Sequence, residues 1–320
     1  MSPAPNVPRA LQRRLDEFRQ LSRMQAGSLI TTVFGDAVLP RGGRLWLGSL
    51  IALLQPLGLS ERLVRTAVFR LVKEEWLTTE AQGRRTDYML TPAGRHRFDE
   101  AARQIYAASA PVWDQQWRLV LTVGDWDARL RERLRRALYW QGFGDLGGGA
   151  FVHPSADLGE ALQALVSEGL SDLRHELVPL MARRLPLAPA ASDHDIVQRA
   201  WNLEALALAY QAFVHRYWPL QHELERCALD TLDPAAAFQV RTLLIHDFRR
   251  LLLRDPELPD ALLPAGWPGA AARSLCGALY RLLLPASERH LDAQLHLANG
   301  EVPRPGRRLQ ARFGLDQRPH

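Results

Sequence analysis

Apolar residues recur at helical spacing along most of the chain and alternate only in short stretches. From Gly27 an apolar stretch runs to Val38. After the Pro40-Arg41-Gly42-Gly43 break, Leu45 to Leu54 reads as a helix that Pro56-Leu57-Gly58 ends. Ser60 sits where an N-cap belongs, because its hydroxyl can accept from the free N–H groups of a first turn, and a second helix runs to about Glu75. Trp76 to Glu80 and Tyr88 to Leu90 read as short strands around a polar tip, Gln82 to Asp87, and Thr91-Pro92 opens another helix.

Pro111 to Gln116 reads as a boundary. Beyond it, Arg118 to Val123 alternates like a strand, Trp126 to Trp140 reads as a charged helix, and Gly149 to His153 as a second strand. Leu158 to Glu168 follows as a helix and Glu176 to Arg184 as a last strand or short helix, which makes a small α+β unit. Leu185 to Asp195, rich in Pro and Ala, reads as a linker. Ile196 to Asp230 and Pro234 to Arg254 are long helical patterns, whereas Asp255 to Pro268 holds four prolines and cannot be continuous helix. At the ends, Leu11 to Arg23 suits a short amphipathic helix, and the segment after Gly300 reads as poorly ordered.

The expected fold class is α+β, divided as an N-terminal extension (1–23), a winged helix-turn-helix (24–97), a connecting helix (98–114), a middle dimerisation domain (115–190), a helical effector and dimer domain (195–300) and a tail (301–320).

Charge sharpens the first of these domains. The chain carries +5 over 320 residues, and Lys73 is its only lysine, which removes any Gly-Lys-Ser/Thr phosphate loop. Between Arg41 and Arg97 ten basic residues face five acidic ones, an excess equal to that of the whole chain. The rest is therefore neutral, and the basic footprint is local, as a nucleic-acid-binding module requires.

On a helix from Ser60, the apolar Leu63, Val64, Ala67, Val68, Leu71 and Val72 share a face that must pack on the preceding helix. The opposite face carries Arg62, Arg65, Thr66, Phe69 and Lys73, with Arg70 on its flank. Arginine can donate two bonds to guanine and threonine can touch the thymine methyl, so Arg62, Arg65 and Thr66 are expected to read bases and Lys73 to meet phosphate. Gly83, Arg84 and Arg85 form the expected wing tip. Phe69, a large aromatic on this face, either touches thymine methyls or packs against the first helix, and packing is the expectation.

Other chemistry is thinly represented. No run of about 18 uncharged apolar residues and no export signal is present, so a cytoplasmic protein without a membrane association is expected. Cys227 and Cys276 show no zinc or disulfide spacing. Gly142-Phe-Gly-Asp-Leu-Gly147 satisfies a dinucleotide-binding spacing, but it follows a helix and precedes a strand, the inverse of what pyrophosphate binding needs, so it reads as a flexible loop. Asp125 and Asp127 at a strand end could hold a divalent metal, although Asp127 could equally cap the next helix. His215, His222, His246 and Asp247 could approach one another in three dimensions. No Gly-x-Ser-x-Gly elbow is present. No catalytic residue, metal ligand or cofactor is assigned, and the chain is not expected to be an enzyme; the alternatives are a metal-dependent nuclease acting through the middle domain, or a regulator of the same architecture with a different effector. Tryptophans such as Trp201, Trp218 and Trp267 read as core residues, though they would also suit the walls of an aryl pocket.

The run Ser28-Leu-Ile-Thr-Thr-Val-Phe-Gly-Asp36, then Leu45-Trp-Leu-Gly-Ser-Leu50, then Glu61-Arg-Leu-Val-Arg-Thr-Ala-Val-Phe-Arg-Leu-Val72, resembles the PaaX family of phenylacetate-catabolism repressors. Leu244-Ile-His-Asp-Phe-Arg-Arg250 and the stretch from Asp255-Pro256 through Leu262-Leu-Pro-Ala-Gly-Trp-Pro-Gly269 are similar to that family's C-terminal signature. The resemblance implies a homodimeric repressor of aromatic-acid degradation genes that binds palindromic operator DNA and is released by phenylacetyl-CoA. It also implies a ferredoxin-like middle domain akin to a small CRISPR-associated endonuclease fold. If an acyl-CoA binds, its phosphates need cations, and Arg249, Arg250 and Arg254 are available near the signature, with Trp267 as an aromatic wall.

Overall fold

A computed structural model describes residues 6–20, 26–124, 126–167, 169–170, 175–185, 187 and 190–314. The chain is mixed helix and strand, mainly helical after residue 193. It forms two compact units: residues 1–108, 212–250 and 271–320 in the first, 109–211 and 251–270 in the second.

The first unit opens with α1 (Arg9–Arg19), shorter than the expected Leu11 to Arg23; residues 21–25 lie outside the described residues. Leu11, Leu15 and Phe18 bury its apolar face. Arg14 joins them because its guanidinium reaches Tyr217 Oη at 3.1 Å and Asp247 Oδ2 at 2.9 Å. After α2 (Ala26–Val33) the helix widens into a π turn, Phe34–Val38, and a 3-10 turn, Leu39–Arg41. Arg44–Trp46 is strand β1, which corrects the expected helix from Leu45; the helix α3 is Leu47–Leu54. Tertiary pairing overrides local periodicity here, because Arg44 pairs with Met89 and Trp46 with Asp87.

Helix α4 (Glu61–Lys73) is followed by strands β2 (Leu77–Gln82) and β3 (Arg85–Leu90), and β1, β3 and β2 form an antiparallel sheet in that order. Helix α5 (Pro92–Ile105) starts at Thr91, whose hydroxyl accepts from Gly94 N and donates to Glu75 O. Gly94 is required, since a Cβ there would lie 2.3 Å from Trp76 O.

In the second unit, β4 (Trp117–Thr122), α6 (Ala128–Trp140), β5 (Gly144–Gly147), β6 (Ala150–His153), α7 (Leu158–Ser167) and β7 (Leu177–Ala182) form an antiparallel sheet in the order β5-β6-β4-β7. Alternation in the strands serves two cores. Val120 and Phe151 face α6 and α7, whereas Trp117 and Val152 pack with Val197, Trp201, Leu258 and Leu262. The expected flexible loop from Gly142 is partly strand. Gly144 has a structural reason, because a Cβ would meet Ala200 Cβ at 2.6 Å. That close approach seats α8 (Asp193–Ala200), capped by a reciprocal Ser192 and Asp195 box, against β5.

Helix α9 (Leu203–Leu224) runs through both segments 109–211 and 212–250. Helix α10 (Pro234–Leu252) is central to the first unit: every residue from Ala236 to His246 is buried, as expected for a helix surrounded on all sides. Helix α11 (Pro268–Gln294) and the short α12 (Arg307–Gln310) complete it.

The segment after Gly300, expected to be poorly ordered, is anchored through Phe313. Gly306 N donates to Pro40 O at 2.8 Å, and Leu309, Arg312 and Phe313 are buried. Asp36 lies fully buried beneath them. Its carboxylate accepts from Arg241 Nε at 2.8 Å, Arg312 at 2.8 Å, Tyr106 Oη at 2.8 Å and Tyr280 Oη at 3.1 Å. Burial pushes its pKa up, but the Arg241 and Arg312 charges outweigh this and hold it below the ordinary carboxylate range. Arg241 continues to Glu288 at 2.7 Å, and Glu288 to Arg41 at 2.7 Å, so the turns after α2, α10, α11 and the C-terminal segment share one charge network.

Candidate nucleic-acid interface

Local sequence explains how α4 is built. The Ser60 hydroxyl accepts from Leu63 N at 3.3 Å, and Val64, Val68 and Leu71 are buried against α2 and α3. The remaining face is open. Arg62, Arg65, Thr66, Arg70 and Lys73 are all exposed, and the structure brings them together along one side of the helix. Their partners differ. Arg65 pairs with Glu61 at 2.7 Å and Arg70 with Glu74 at 3.1 Å, whereas Arg62 and Lys73 have no side-chain partner among the described residues. Exposed pairs one turn apart are worth only about 0.3–0.5 kcal/mol, so Arg65 and Arg70 remain exchangeable.

Two apolar residues depart from expectation. Leu63, placed on the packing face, is 38% exposed, and Phe69, expected to pack inward, is 71% exposed. The cause is geometric: 100° per residue puts Phe69 about 20° from Arg62 and about 40° from Lys73, while α2 and α3 cover only the side of Val64 and Val68.

The hairpin after α4 closes with a two-residue turn. Gln82 pairs with Arg85, and Gly83 takes φ 60°, a value that favours glycine. Arg84 projects at the tip without a partner among the described residues. Arg85 is committed elsewhere: its guanidinium lies 4.5 Å from the centre of the Trp46 ring and donates to Ala298 O at 3.5 Å. Behind it the buried Asp87 accepts from Ala298 N at 2.6 Å and Arg44 Nε at 2.7 Å, and Trp46 N donates to His296 O at 3.0 Å. Residues 296–298 thus brace the hairpin. Nothing in the local sequence signals this brace, because the burial of Asp87 becomes visible only in the fold.

The residues considered for an effector are dispersed in environment. Arg249 is half-buried, donates to Ser28 Oγ at 2.7 Å, and has a buried Nε without a partner among the described residues. Burial lowers its pKa. Arg250 and Arg254 are exposed. Trp267 lines an open cleft of about 710 Å³ in the second unit, with Arg199, Trp201, Gln211 and Pro264. Arg199 is the cleft cation that sequence reasoning missed, because it lies outside the signature.

The residues weighed for metal or acid–base chemistry do not assemble. Asp125 lies outside the described residues, and Asp127 caps α6 through Leu130 N at 2.7 Å. His215 and His222 are exposed on α9. His246 is buried against Thr32 Oγ1 at 3.2 Å, and Asp247 holds Arg14 and Tyr217. Among the described residues no three metal-binding side chains converge, and no helix is long and apolar enough to cross a membrane. Cys227 and Cys276 are not bonded to each other.

Comparison with known proteins extends over nearly the whole chain. Residues 25–94 match the family described as PaaX-like protein, 110–178 the PaaX protein central Cas2-like domain, and 201–293 the PaaX-like protein C-terminal domain. The transcriptional repressor PaaX of Escherichia coli (strain K12) is 39% identical over 288 residues, 90% of this chain and 89% of that protein. The chain belongs to the PaaX family. An uncharacterized protein, Rv0674 from Mycobacterium tuberculosis, is similar in structure at 27% identity and a TM-score of 0.47, covering 77% of this chain and 89% of that one. The PaaX-like match at 25–94 ends where α5 begins and so includes all of α4 and its hairpin.

Proposed function

We propose that this chain is a cytoplasmic transcriptional repressor, not an enzyme, which binds palindromic double-stranded operator DNA as a homodimer. In this reading α3 and α4 with the β2–β3 hairpin act as a winged helix-turn-helix. α4 enters the major groove, Arg62, Arg65 and Thr66 meet base edges, and Arg70, Lys73, Gly83, Arg84 and Arg85 meet or position the backbone. The observation that carries it is the exposed face of α4, where unpartnered cations at Arg62 and Lys73 coincide with membership in a family whose relative is a repressor. The order β4-α6-β5-β6-α7-β7 and its strand arrangement support a ferredoxin-like middle domain.

The effector is an acyl-CoA, phenylacetyl-CoA first among them. The cleft beside Trp267 offers an aromatic wall and the Arg199 cation, which suits an aryl thioester better than the inward-facing Arg249.

Footprinting on DNA upstream of the aromatic-acid genes tests both parts. Replacing Arg62 and Arg65 together by alanine is expected to abolish the specific footprint while the protein stays folded, and phenylacetyl-CoA, unlike free phenylacetate, is expected to release the wild type. An unchanged footprint in the double variant removes α4 from the interface.

A further inference from the structure

Phe69 stands in the middle of the open face of α4, 71% exposed, in line with Arg62 and Lys73. At 1.5 Å per residue Arg62 lies about 10 Å before it and Lys73 about 6 Å beyond it, so the row reads cation, aromatic ring, cation. A large aromatic ring held in water is unfavourable, and among the described residues no group shields most of this one. Its flanking residue Thr66 is exposed and commits its hydroxyl to Arg62 O at 2.9 Å, which leaves its methyl as the group free to meet a partner. The face is therefore apolar at its centre and cationic at its ends.

That arrangement has one match in chemistry. Lys73 suits a phosphate on the groove rim and Arg62 a base edge, and the ring between them then also faces base edges, because in an intact duplex the flat faces of bases are hidden by stacking. On the major-groove edges the only apolar group is the C5 methyl of thymine. We propose that Phe69, seconded by the Thr66 methyl, is a specificity-determining residue that recognises thymine methyls at the centre of each half-site. This rests on α4 being the DNA-reading helix.

The test uses duplexes selected from a random pool by the full-length wild-type protein, with each thymine replaced in turn by deoxyuridine, which removes only the methyl. Phe69→Ala, whose melting curve is expected to match the wild type, should bind the selected duplex about 5- to 30-fold more weakly. Deoxyuridine at one or two positions should cost the wild type a similar factor and cost the variant nothing further. Wild-type binding that ignores every deoxyuridine, or a variant that loses as much as the wild type on the same substitution, overturns the proposal while leaving DNA binding by α4 intact. Failure of the wild type to enrich any duplex overturns the proposal together with the reading beneath it.

Discussion

The Arg312 guanidinium donates to the Asp36 carboxylate at 2.8 Å across 276 residues of sequence, and it lies over the Tyr106 ring at 3.9 Å. Both partners are buried: without Asp36 the Arg312 guanidinium has no carboxylate partner, and without Arg312 the Asp36 carboxylate keeps Arg241 but loses the second of its two cations. Arg312→Ala is expected to destabilise the first unit by about 3–5 kcal/mol in urea unfolding, and Arg312→Lys to recover little, because one ammonium cannot also reach Gly35 O and Tyr280 Oη. An Arg312→Ala protein as stable as the wild type would show that this network is ornamental.

Acid should act on this protein before its carboxylates titrate. His246 and His153 are buried, and burial lowers each to about 4 from an ordinary 6.5. His153 is held neutral with Nδ1 accepting from Ser155 N at 3.0 Å and Ala156 N at 2.7 Å. A histidine depressed in the folded state is protonated first in the unfolded chain. Its contribution is therefore complete above about pH 6.5 and is lost as pH falls toward 4, on the order of 3 kcal/mol for each ring at the limit. Unfolding free energies measured between pH 7.5 and 4.5 should fall accordingly, with a shallower slope in His246→Gln. A pH-independent stability across that window contradicts the assignment.

The two wing arginines should separate by experiment. Arg84→Ala is expected to leave thermal stability unchanged and lower the salt slope of DNA binding by about one. Arg85→Ala, by releasing Trp46, should cost about 0.5–1 kcal/mol of stability as well. Equal effects of the two on melting temperature would argue against the stacking.

In the second unit, Gly144→Val should be severe, since even a Cβ would stand 2.6 Å from Ala200 and 2.7 Å from Trp201. A loss of at least about 1–3 kcal/mol is expected from displacing α8, read as a lowered urea midpoint.

Trp267→Ala should leave operator affinity intact while weakening release by phenylacetyl-CoA, measured by titrating the protein–operator complex. Unaltered release would place the effector away from the cleft.

Local rules made α4 legible: its cap at Ser60, its buried stripe and its cations follow from spacing alone. Phe69 was misjudged because periodicity tells which residues share a face, not how much of that face a neighbour covers. β1 and the anchored C-terminal segment were hidden for a related reason. Arg44 becomes a strand residue only when β3 is present, and Arg312 becomes a core residue only when the buried Asp36 carboxylate is there to accept from it. Long-range pairing of this kind leaves no periodic trace. Gly144 shows the reverse failure: a familiar glycine spacing in an inverted context, after a helix and before a strand, reads as a loop, and the operative fact is a close approach by Ala200.

The distance in sequence between Asp36 and Arg312 also sets an order in time. During synthesis the Asp36 carboxylate emerges first, meets Arg241 after 205 further residues and Arg312 after 276. At roughly 5–20 residues per second it waits about 15 to 55 s for its last partner. An incomplete nascent chain therefore carries α4 without the charge that closes the unit behind it.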